Sequence, residues 1–293
     1  MHSKKMLGWV GLIALVTVCK QPHDDLFTRG ETMGLADSRM VEASGLVASI
    51  NNPGYLWSHN DGGNPAELFL IDEAANIKMV CTFNNIQNRD WEDIAIATDR
   101  ANGKNYIYLG DIGDNRAEYA VKLIYRFEEP VFLNESNIVI SSFDTLVVKL
   151  PDGIRDAEAL MVEPVSNDLF LFSKREDSVR LYQLHYPIQG DTLLAKQIAK
   201  LPFHNINAAD ISKDGTEVLI KNYDHIYYWK KDRGESIADL LLEPPISLPY
   251  HKGAQDEAIA WKADGSGFFT LGETVKKEKG ELVFHKRKTK QEH

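Results

Sequence analysis

The stretch DWEDIAI, residues 90–96, places three carboxylates at the beginning of an alternating apolar run. This alternation predicts a β-strand with one buried face. Four similar stretches occur in the chain: EASGLVA (42–48), DAEALMV (156–162), NAADISK (207–213) and QDEAIAW (255–261). The sequence therefore contains five copies of one strand-start pattern, which together determine the expected fold.

Aligning the five stretches on the first aliphatic residue of each strand gives two polar columns. The key column contains Ser44, Glu92, Glu158, Ala209 and Glu257. Two residues earlier, the second column contains Glu42, Asp90, Asp156, Asn207 and Gln255. Key-column residues are separated by 48, 66, 51 and 48 positions, a period that is typical of β-propeller blades.

Each repeat continues with further short apolar runs separated by turn residues, which predicts four-stranded blades. We expect an all-β, single five-bladed β-propeller over residues 41–286, because a sixth blade would need about 50 more residues. The fifth repeat lacks a fourth strand, so a strand within 28–38 is expected to close the ring and cover the open edge. Residues 130–142 lengthen the second repeat and are expected to form a loop or short hairpin.

Composition limits the function classes. The 293-residue chain has a formal net charge of −10 and 43% hydrophobic residues. It can build a core, whereas binding to nucleic acid would need a basic surface. We expect a monomer that binds no nucleic acid.

The N-terminus indicates export. Lys4 and Lys5 precede a run of about a dozen apolar residues, which is too short to span a bilayer and suits a signal peptide. The run ends in LVTVC, residues 15–19, which resembles a bacterial lipobox with Val18 in place of the usual small residue. Cys19 is the predicted lipidation site; a plain secretory signal is the alternative. The remaining Cys81 is then expected to be a buried strand residue.

These signals divide the chain into four parts: a signal peptide (1–19), a linker with the closing strand (20–40), the propeller (41–286) and a basic tail (287–293). The predicted location is the bacterial cell envelope, with membrane contact through the lipid anchor only, or the exterior if the protein is secreted.

The polar columns are expected to meet at one end of the central channel. Because the first strands of all blades run in the same direction, their starts converge on one face, and the ends of the second strands return there. Three glutamates in a narrow channel would repel one another unless a cation lay between them. Ca²⁺ accepts six to eight oxygens in irregular geometry, including backbone carbonyls such as that of Ala209. The predicted calcium ligands are Ser44, Glu92, Glu158, Ala209 and Glu257.

A simpler alternative needs no metal. The same acids could be strand-start residues that accept hydrogen bonds from backbone amides of neighbouring blades. The sequence leaves both interpretations open.

The motifs EASGL, DWEDIA and DAEAL resemble those of the SdiA-regulated and esterase-like phytase propellers. The order of ring residues is similar to the calcium ring of the five-bladed calcium-activated nucleotidase (apyrase) family, in which the fourth position is typically a second Ser rather than Ala209. This resemblance covers most of residues 40–285 as short, spaced motifs. It implies a propeller and a calcium ion, and it implies activity poorly because such propellers include hydrolases and proteins without a known reaction.

Two functions follow as hypotheses. The first is a binding module with a structural Ca²⁺, whose partner is a small anionic molecule or an envelope glycan or peptide; Trp57 and Trp91 could stack on it or pack in the core. The second is a Ca²⁺-assisted hydrolase of phosphate esters or lactones. The candidate catalytic bases are Asp61, Asp111, Asp114 and Glu273. The candidate ligand-binding residues are His59, Asn60, Arg89, Arg155, Lys174 and Lys221.

Overall fold

The computed structural model describes residues 26–250, 253 and 255–289. Within them the chain forms one short helix, α1 (Ile237–Leu242), and a series of β-strands. In chain order the strands are β1 (Glu31–Leu35), β2 (Ala43–Ala48), β3 (Tyr55–Asn60), β4 (Glu67–Asp72), β5 (Ile77–Phe83), β6 (Trp91–Thr98), β7 (Asn105–Asp111), β8 (Lys122–Glu128), β9 (Asn137–Ile140), β10 (Asp144–Lys149), β11 (Ala157–Val162), β12 (Leu169–Ser173), β13 (Val179–Leu184), β14 (Leu193–Leu194), β15 (Lys196–Leu201), β16 (Ile206–Ile211), β17 (Glu217–Asn222), β18 (Ile226–Lys230), β19 (Ile246–Leu248), β20 (Asp256–Trp261), β21 (Gly267–Gly272) and β22 (Glu281–Lys286).

The strands form five small sheets arranged in a ring, which confirms the predicted five-bladed propeller. Blade one has the order β2-β3-β4-β5-β9, blade two β6-β7-β8-β10-β14, blade three β11-β12-β13-β15, blade four β16-β17-β18-β19 and blade five β20-β21-β22-β1. The five innermost strands, β2, β6, β11, β16 and β20, contact one another around the central channel. Their starts therefore meet at one end of the channel, as the strand directions predict.

The N-terminal strand closes the ring as expected. Strand β1 pairs antiparallel with β22, with Glu31 opposite Phe284, and supplies the missing outer strand of blade five. Arg287, which the sequence assigns to a solvated tail, is held in the fold because its guanidinium pairs with Glu217 at 2.7 Å and lies over the ring of Phe27. Arg287 therefore packs against the propeller, and the assignment of residues 287–293 to a basic tail stays a prediction.

The insertion at 130–142 differs from the expected loop or hairpin. Its strand β9 pairs parallel with β5 and adds a fifth strand to the outside of blade one. Strand β14 is added in the same way to β10 of blade two. Both segments cover outer edges whose backbone groups would otherwise lack pairing partners.

Apolar side chains fill the spaces within and between blades. Cys81 is fully buried on β5, as predicted. Trp57 and Trp91 are also fully buried, so they pack in the core between blades one and two and do not form a stacking surface. The indole N–H of Trp57 donates to Glu129 at 2.9 Å.

Among the described residues, no helix is long and apolar enough to cross a membrane. The predicted signal peptide and Cys19 lie outside those residues.

Candidate metal centre at one end of the channel

A β-bulge at the beginning of each innermost strand positions the repeated polar residues. Pairing with the second strand skips Glu92 in blade two, Glu158 in blade three and Glu257 in blade five. In blade one it skips Ser44 and Gly45. A bulge leaves the extra residue unpaired and re-aims its side chain. The recurring sequence pattern therefore corresponds to a recurring backbone irregularity at the same channel end.

Blade four shows that the sequence alignment is wrong by two residues there. Its bulge falls at Asn207, whereas Ala209 pairs regularly with Ile220. The equivalent of the glutamates is thus Asn207, a buried amide that accepts from Lys221 at 3.3 Å and donates to the carbonyl of Asp256 at 3.3 Å. The other blades carry a large aliphatic residue two positions after the bulge. Blade four has Ala209 there, and its first large aliphatic residue, Ile211, comes two positions later, which shifted the sequence alignment.

Among the described residues, seven carboxylates gather at this end of the channel, and their oxygens form three groups in which the atoms lie within 4.8 Å of one another. The groups are Asp61 with Asp90 and Glu92, Asp61 with Glu257 and Glu273, and Glu92 with Asp156 and Glu158. We call these seven residues the acid cluster. Asp61 belongs to two groups, so it connects the acids of blade two with those of blade five.

Only part of this charge is neutralised by the protein. Lys174 pairs with Glu158 at 2.7 Å, and Arg175 pairs with Asp156 at 2.5 Å. Within the described part of the chain, the other five acids have no ion pair with a Lys, Arg or His. These unpaired acids are Asp61, Asp90, Glu92, Glu257 and Glu273.

The cluster also contains carboxyl groups in direct contact with each other. The side chains of Glu92 and Glu158 are within hydrogen-bonding distance, and so are those of Glu257 and Glu273. Burial, together with the charges of Glu158 and Asp61, raises the pKa of Glu92 well above its usual value. Burial and the charge of Glu257 raise the pKa of Glu273 to about 8. Two carboxyl groups in contact require a shared proton or a cation between them.

Burial and neighbouring acids also raise the pKa values of Asp61 and Asp90. Burial raises the pKa of Asp61 to about 7 although the N–H of Gly62 donates to its carboxylate. Burial and the charges of Asp156 and Asp111 raise the pKa of Asp90. The cluster is therefore a place where negative charge is costly and a bound cation would be favoured.

Lys174 is the central cation of the described site. Burial alone would lower the pKa of Lys174, but the nearby charges of Glu158, Glu257 and Glu92 raise it, so the amine stays protonated. Its ammonium lies 5.3 Å from the ring centroid of Tyr223, whose hydroxyl donates to Glu257 at 2.5 Å. One lysine cannot balance five further acids.

Two glycines make the space that the acids occupy. A Cβ on Gly113 would lie 2.6 Å from Cγ of Asp90 and closer still to Oε1 of Glu92. A Cβ on Gly62 would collide with the carboxylate of Asp90. The backbones of the two loops therefore approach these carboxylates more closely than any residue with a side chain could. This cradle fits an oxygen-lined cation site.

Two other channel acids behave as the metal-free alternative predicts. Asp93 accepts from the backbone N–H groups of Ile94 at 2.9 Å, Leu160 at 2.8 Å and Ala209 at 3.4 Å, so it joins blades two, three and four. Asp210 accepts from Ile211 at 2.8 Å and from Trp261 at 2.7 Å, joining blades four and five. Hydrogen bonding to backbone amides of neighbouring blades, the metal-free interpretation, is thus seen at Asp93 and Asp210. The key-column glutamates are not held in this way by any described residue. Ser44, from the predicted ligand set, donates its hydroxyl to the carbonyl of Glu92 at 2.5 Å.

Two of the four proposed catalytic bases are committed to structural contacts. Asp111 is buried and paired with Arg89 at 2.9 Å. Asp114 pairs with buried Lys122 at 3.0 Å and accepts two backbone N–H groups, and these contacts hold its pKa below the usual value despite burial. Asp61 and Glu273 belong to the acid cluster and are half-buried at the channel end.

Most of the predicted ligand-binding residues are also buried or used in contacts within the protein. His59 is fully buried, its Nδ1 donates to the carbonyl of Asn60 at 3.0 Å, and burial lowers its pKa to about 4. Lys221 is also fully buried. The guanidinium of Arg155 pairs with Asp152 at 3.0 Å and with Glu176 at 2.9 Å. Of the predicted ligand-binding residues, Lys174 lies beside the acid cluster. His59 and Lys221 are not accessible to a ligand from solvent because both are fully buried.

The amide of Asn60 is used within blade one, where it accepts from the backbone of Glu42 at 3.2 Å and donates to the carbonyl of Arg39 at 2.7 Å. The predicted ligand set omits Asp61, Asp90, Asp156, Asn207 and Glu273. Asp90, Asp156 and Asn207 stand in the second polar column, which is the signal that points to them.

No protein-family model matches the sequence, and no curated protein matches it. Among solved structures, the PQQ-bound aldose sugar dehydrogenase from Streptomyces coelicolor superposes with a TM-score of 0.55 at 10% identity, covering 92% of this chain and 100% of that chain. An auxiliary nutrient binding protein from Bacteroides thetaiotaomicron superposes with a TM-score of 0.50 at 9% identity, covering 88% and 78%. At these identities the likeness supports the propeller fold alone.

Proposed function

We propose that this propeller binds Ca²⁺ at the acid cluster. The observation that carries the proposal is a set of five carboxylates that form no ion pair with any described residue, crowded at one channel end and partly in contact with each other. An all-oxygen donor set suits a hard cation, and its irregular arrangement over several blades suits Ca²⁺ better than the octahedral Mg²⁺. The groups contain no His or Cys, which zinc sites commonly use.

The residues that would hold the ion are those around Asp61. Asp90 and Glu92 approach Asp61 from blade two, while Glu257 and Glu273 approach it from blade five. Bound there, Ca²⁺ would supply positive charge that joins non-adjacent parts of the ring. We leave Glu158 out of the ligand set because it is paired with Lys174. Ala209 is also left out, because it is not the equivalent of the glutamates in blade four.

Isothermal titration at pH 7.5 tests this assignment. We expect saturable Ca²⁺ binding in the metal-stripped protein and at least tenfold weaker binding in Asp61→Asn. Asp61 is shared by the group from blade two and the group from blade five, so its loss affects both. Asp144→Asn makes the same charge change on exposed strand β10 and should bind as the unchanged protein does. Absence of Ca²⁺ binding, or equal loss in both variants, would contradict the proposal.

We further propose that the protein works as a binding module of the bacterial envelope. The short apolar segment before Cys19 supports export and lipid anchoring. Membrane fractionation tests the anchor: the protein should sediment with membranes, and Cys19→Ser should release it. If the unchanged protein is already free of the membrane fraction, cleavage by a plain secretory signal is the better explanation.

A calcium-dependent hydrolase is the second candidate function. It is favoured by the position of Asp61 and Glu273, two half-buried carboxyl groups at the channel end, either of which could accept a proton from a water molecule beside a bound cation. A bound Ca²⁺ would polarise a phosphoryl or carbonyl oxygen. Phosphoester or lactone turnover by the unchanged protein that requires Ca²⁺ would favour this function over simple binding, whereas Ca²⁺ binding without such turnover would contradict it.

A further inference from the structure

The opposite end of the central channel contains a separate cavity of about 170 Å³. All five blades contribute to it through the far ends of their innermost strands. Its apolar lining includes Val47, Ile50, Ile96, Val162, Pro164 and Ile211. A cavity of about 150 Å³ holds a ligand as large as benzene, so this space is large enough for a small organic molecule.

Among the described residues that line this far cavity, Asp210 is the only acid. Its side chain is half-buried, and each carboxylate oxygen accepts one backbone N–H, from Ile211 and from Trp261. A carboxylate oxygen has two lone pairs, so each oxygen retains acceptor capacity.

Asp210 also lacks an ion pair among the described residues, although two lysines line the same cavity. Lys262 is paired with Glu73 at 2.8 Å and lies near two phenylalanine rings. Lys213 is exposed on the surface and has no ion pair with a described residue. Besides Asp210, these two lysines, Thr98 and Ser212, the rest of the lining is apolar. A carboxylate without an ion pair beside such apolar walls favours a ligand that carries one positive charge on an apolar body.

We propose that the far cavity binds a primary ammonium ion with a short unbranched alkyl chain. The ammonium would donate to the free lone pairs of Asp210, and the chain would lie against the aliphatic walls from blades one, two and three. This site is separate from the acid cluster and does not depend on the proposed Ca²⁺ function.

Titration calorimetry with hexylammonium tests the proposal. Because burial raises the pKa of Asp210 to about 7, the titration is performed at pH 8, where the carboxyl group is mostly ionised. Saturating Ca²⁺ is included so that the ammonium ion does not compete for the acid cluster. We expect hexylammonium to bind at least tenfold more tightly than methylammonium, which lacks the chain, and than hexanoate, which has the opposite charge.

Three variants locate the binding. Asp210→Asn should weaken hexylammonium binding at least tenfold, and Asp61→Asn in the acid cluster should leave it unchanged. Since Asp210→Asn could also loosen the contact between blades four and five, Ala263→Phe provides a second test. Ala263 is exposed on the cavity rim, so a larger side chain there should block the ligand while the thermal midpoint stays the same.

The proposal is overturned if hexanoate binds as well as hexylammonium, or if no saturable binding occurs. It is also overturned if Asp61→Asn abolishes the binding and Ala263→Phe preserves it, because the ammonium would then be occupying the acid cluster.

Discussion

Two sets of carboxylates share one channel, and they differ in what their oxygens contact. Asp93 and Asp210 accept hydrogen bonds from backbone amides of adjacent blades. In the acid cluster, Glu92 and Glu273 instead face other carboxyl groups. Burial raises the pKa of all four residues, so burial alone does not distinguish the sets. Their neighbours show that the first set links blades through backbone hydrogen bonds, whereas the second set brings carboxyl groups together, and it is there that we propose a cation binds.

The largest effect is expected at Asp93. Replacing it by Ala leaves three buried backbone N–H groups without an acceptor, and each unsatisfied group costs about 1–3 kcal/mol. We expect the free energy of unfolding to fall by at least about 3 kcal/mol, measured by urea denaturation in EDTA and again in Ca²⁺. The loss should be the same in both buffers; a loss seen only with Ca²⁺ would place Asp93 in the metal site.

Glu257→Gln should have the opposite profile. In EDTA the variant is expected to be as stable as the unchanged protein or slightly more stable, because the neutral amide removes a buried charge beside Glu273. The added stability at a Ca²⁺ concentration of 100 times Kd, about 2.7 kcal/mol in the unchanged protein, should largely disappear. Equal destabilisation in EDTA and in Ca²⁺ would show that Glu257 is a structural residue like Asp93.

The pH dependence of the metal-free protein provides a third test. Asp61 and Glu158 have pKa values raised to about 7 by burial, and Glu273 to about 8. Between about pH 7 and 8.5 the folded state therefore retains part of the protons that the unfolded state has already lost, so stability should fall as pH rises and level off above that range. Each such proton contributes a slope of about 1.4 kcal/mol per pH unit.

Above about pH 7, His59 adds little to this slope because it is largely neutral both when buried and when unfolded. Chemical denaturation at several pH values in EDTA measures the slope, and Ca²⁺ should flatten it by replacing the protons. Stability that rises with pH in EDTA would contradict the account of the acid cluster.

The smallest effect is expected at Arg175, a half-exposed cation beside the acid cluster. Arg175→Gln removes one positive charge that competes with a bound cation, so Ca²⁺ affinity should increase by about twofold to threefold. Stability without metal should change by less than about 1 kcal/mol. Weaker Ca²⁺ binding in a titration of this variant would show that Arg175 positions Asp156 for the metal.

The sequence predicted the five blades and the closing strand because both follow from repeated local patterns. It also predicted that Glu92, Glu158 and Glu257 converge, since equivalent strand starts must meet. The assignment of Ala209 to the key column failed because Ala209 takes the place of the first large aliphatic residue of the other blades, which shifted the alignment by two residues. The position of Asp61 between the acids of blades two and five, and the pairing of Glu158 with Lys174, depend on the loops after the second strands. Only the three-dimensional structure shows the paths of these loops.

The most direct test of the central claim is a thermal melt of the unchanged protein in EDTA, in Mg²⁺ and in Ca²⁺. The account predicts that Ca²⁺ at about 100 times its Kd raises the midpoint by roughly 5–10 °C relative to EDTA, with a smaller effect of Mg²⁺. Identical midpoints in the three buffers, with no metal retained after dialysis, would contradict it and would make the acid cluster a structural feature of the channel.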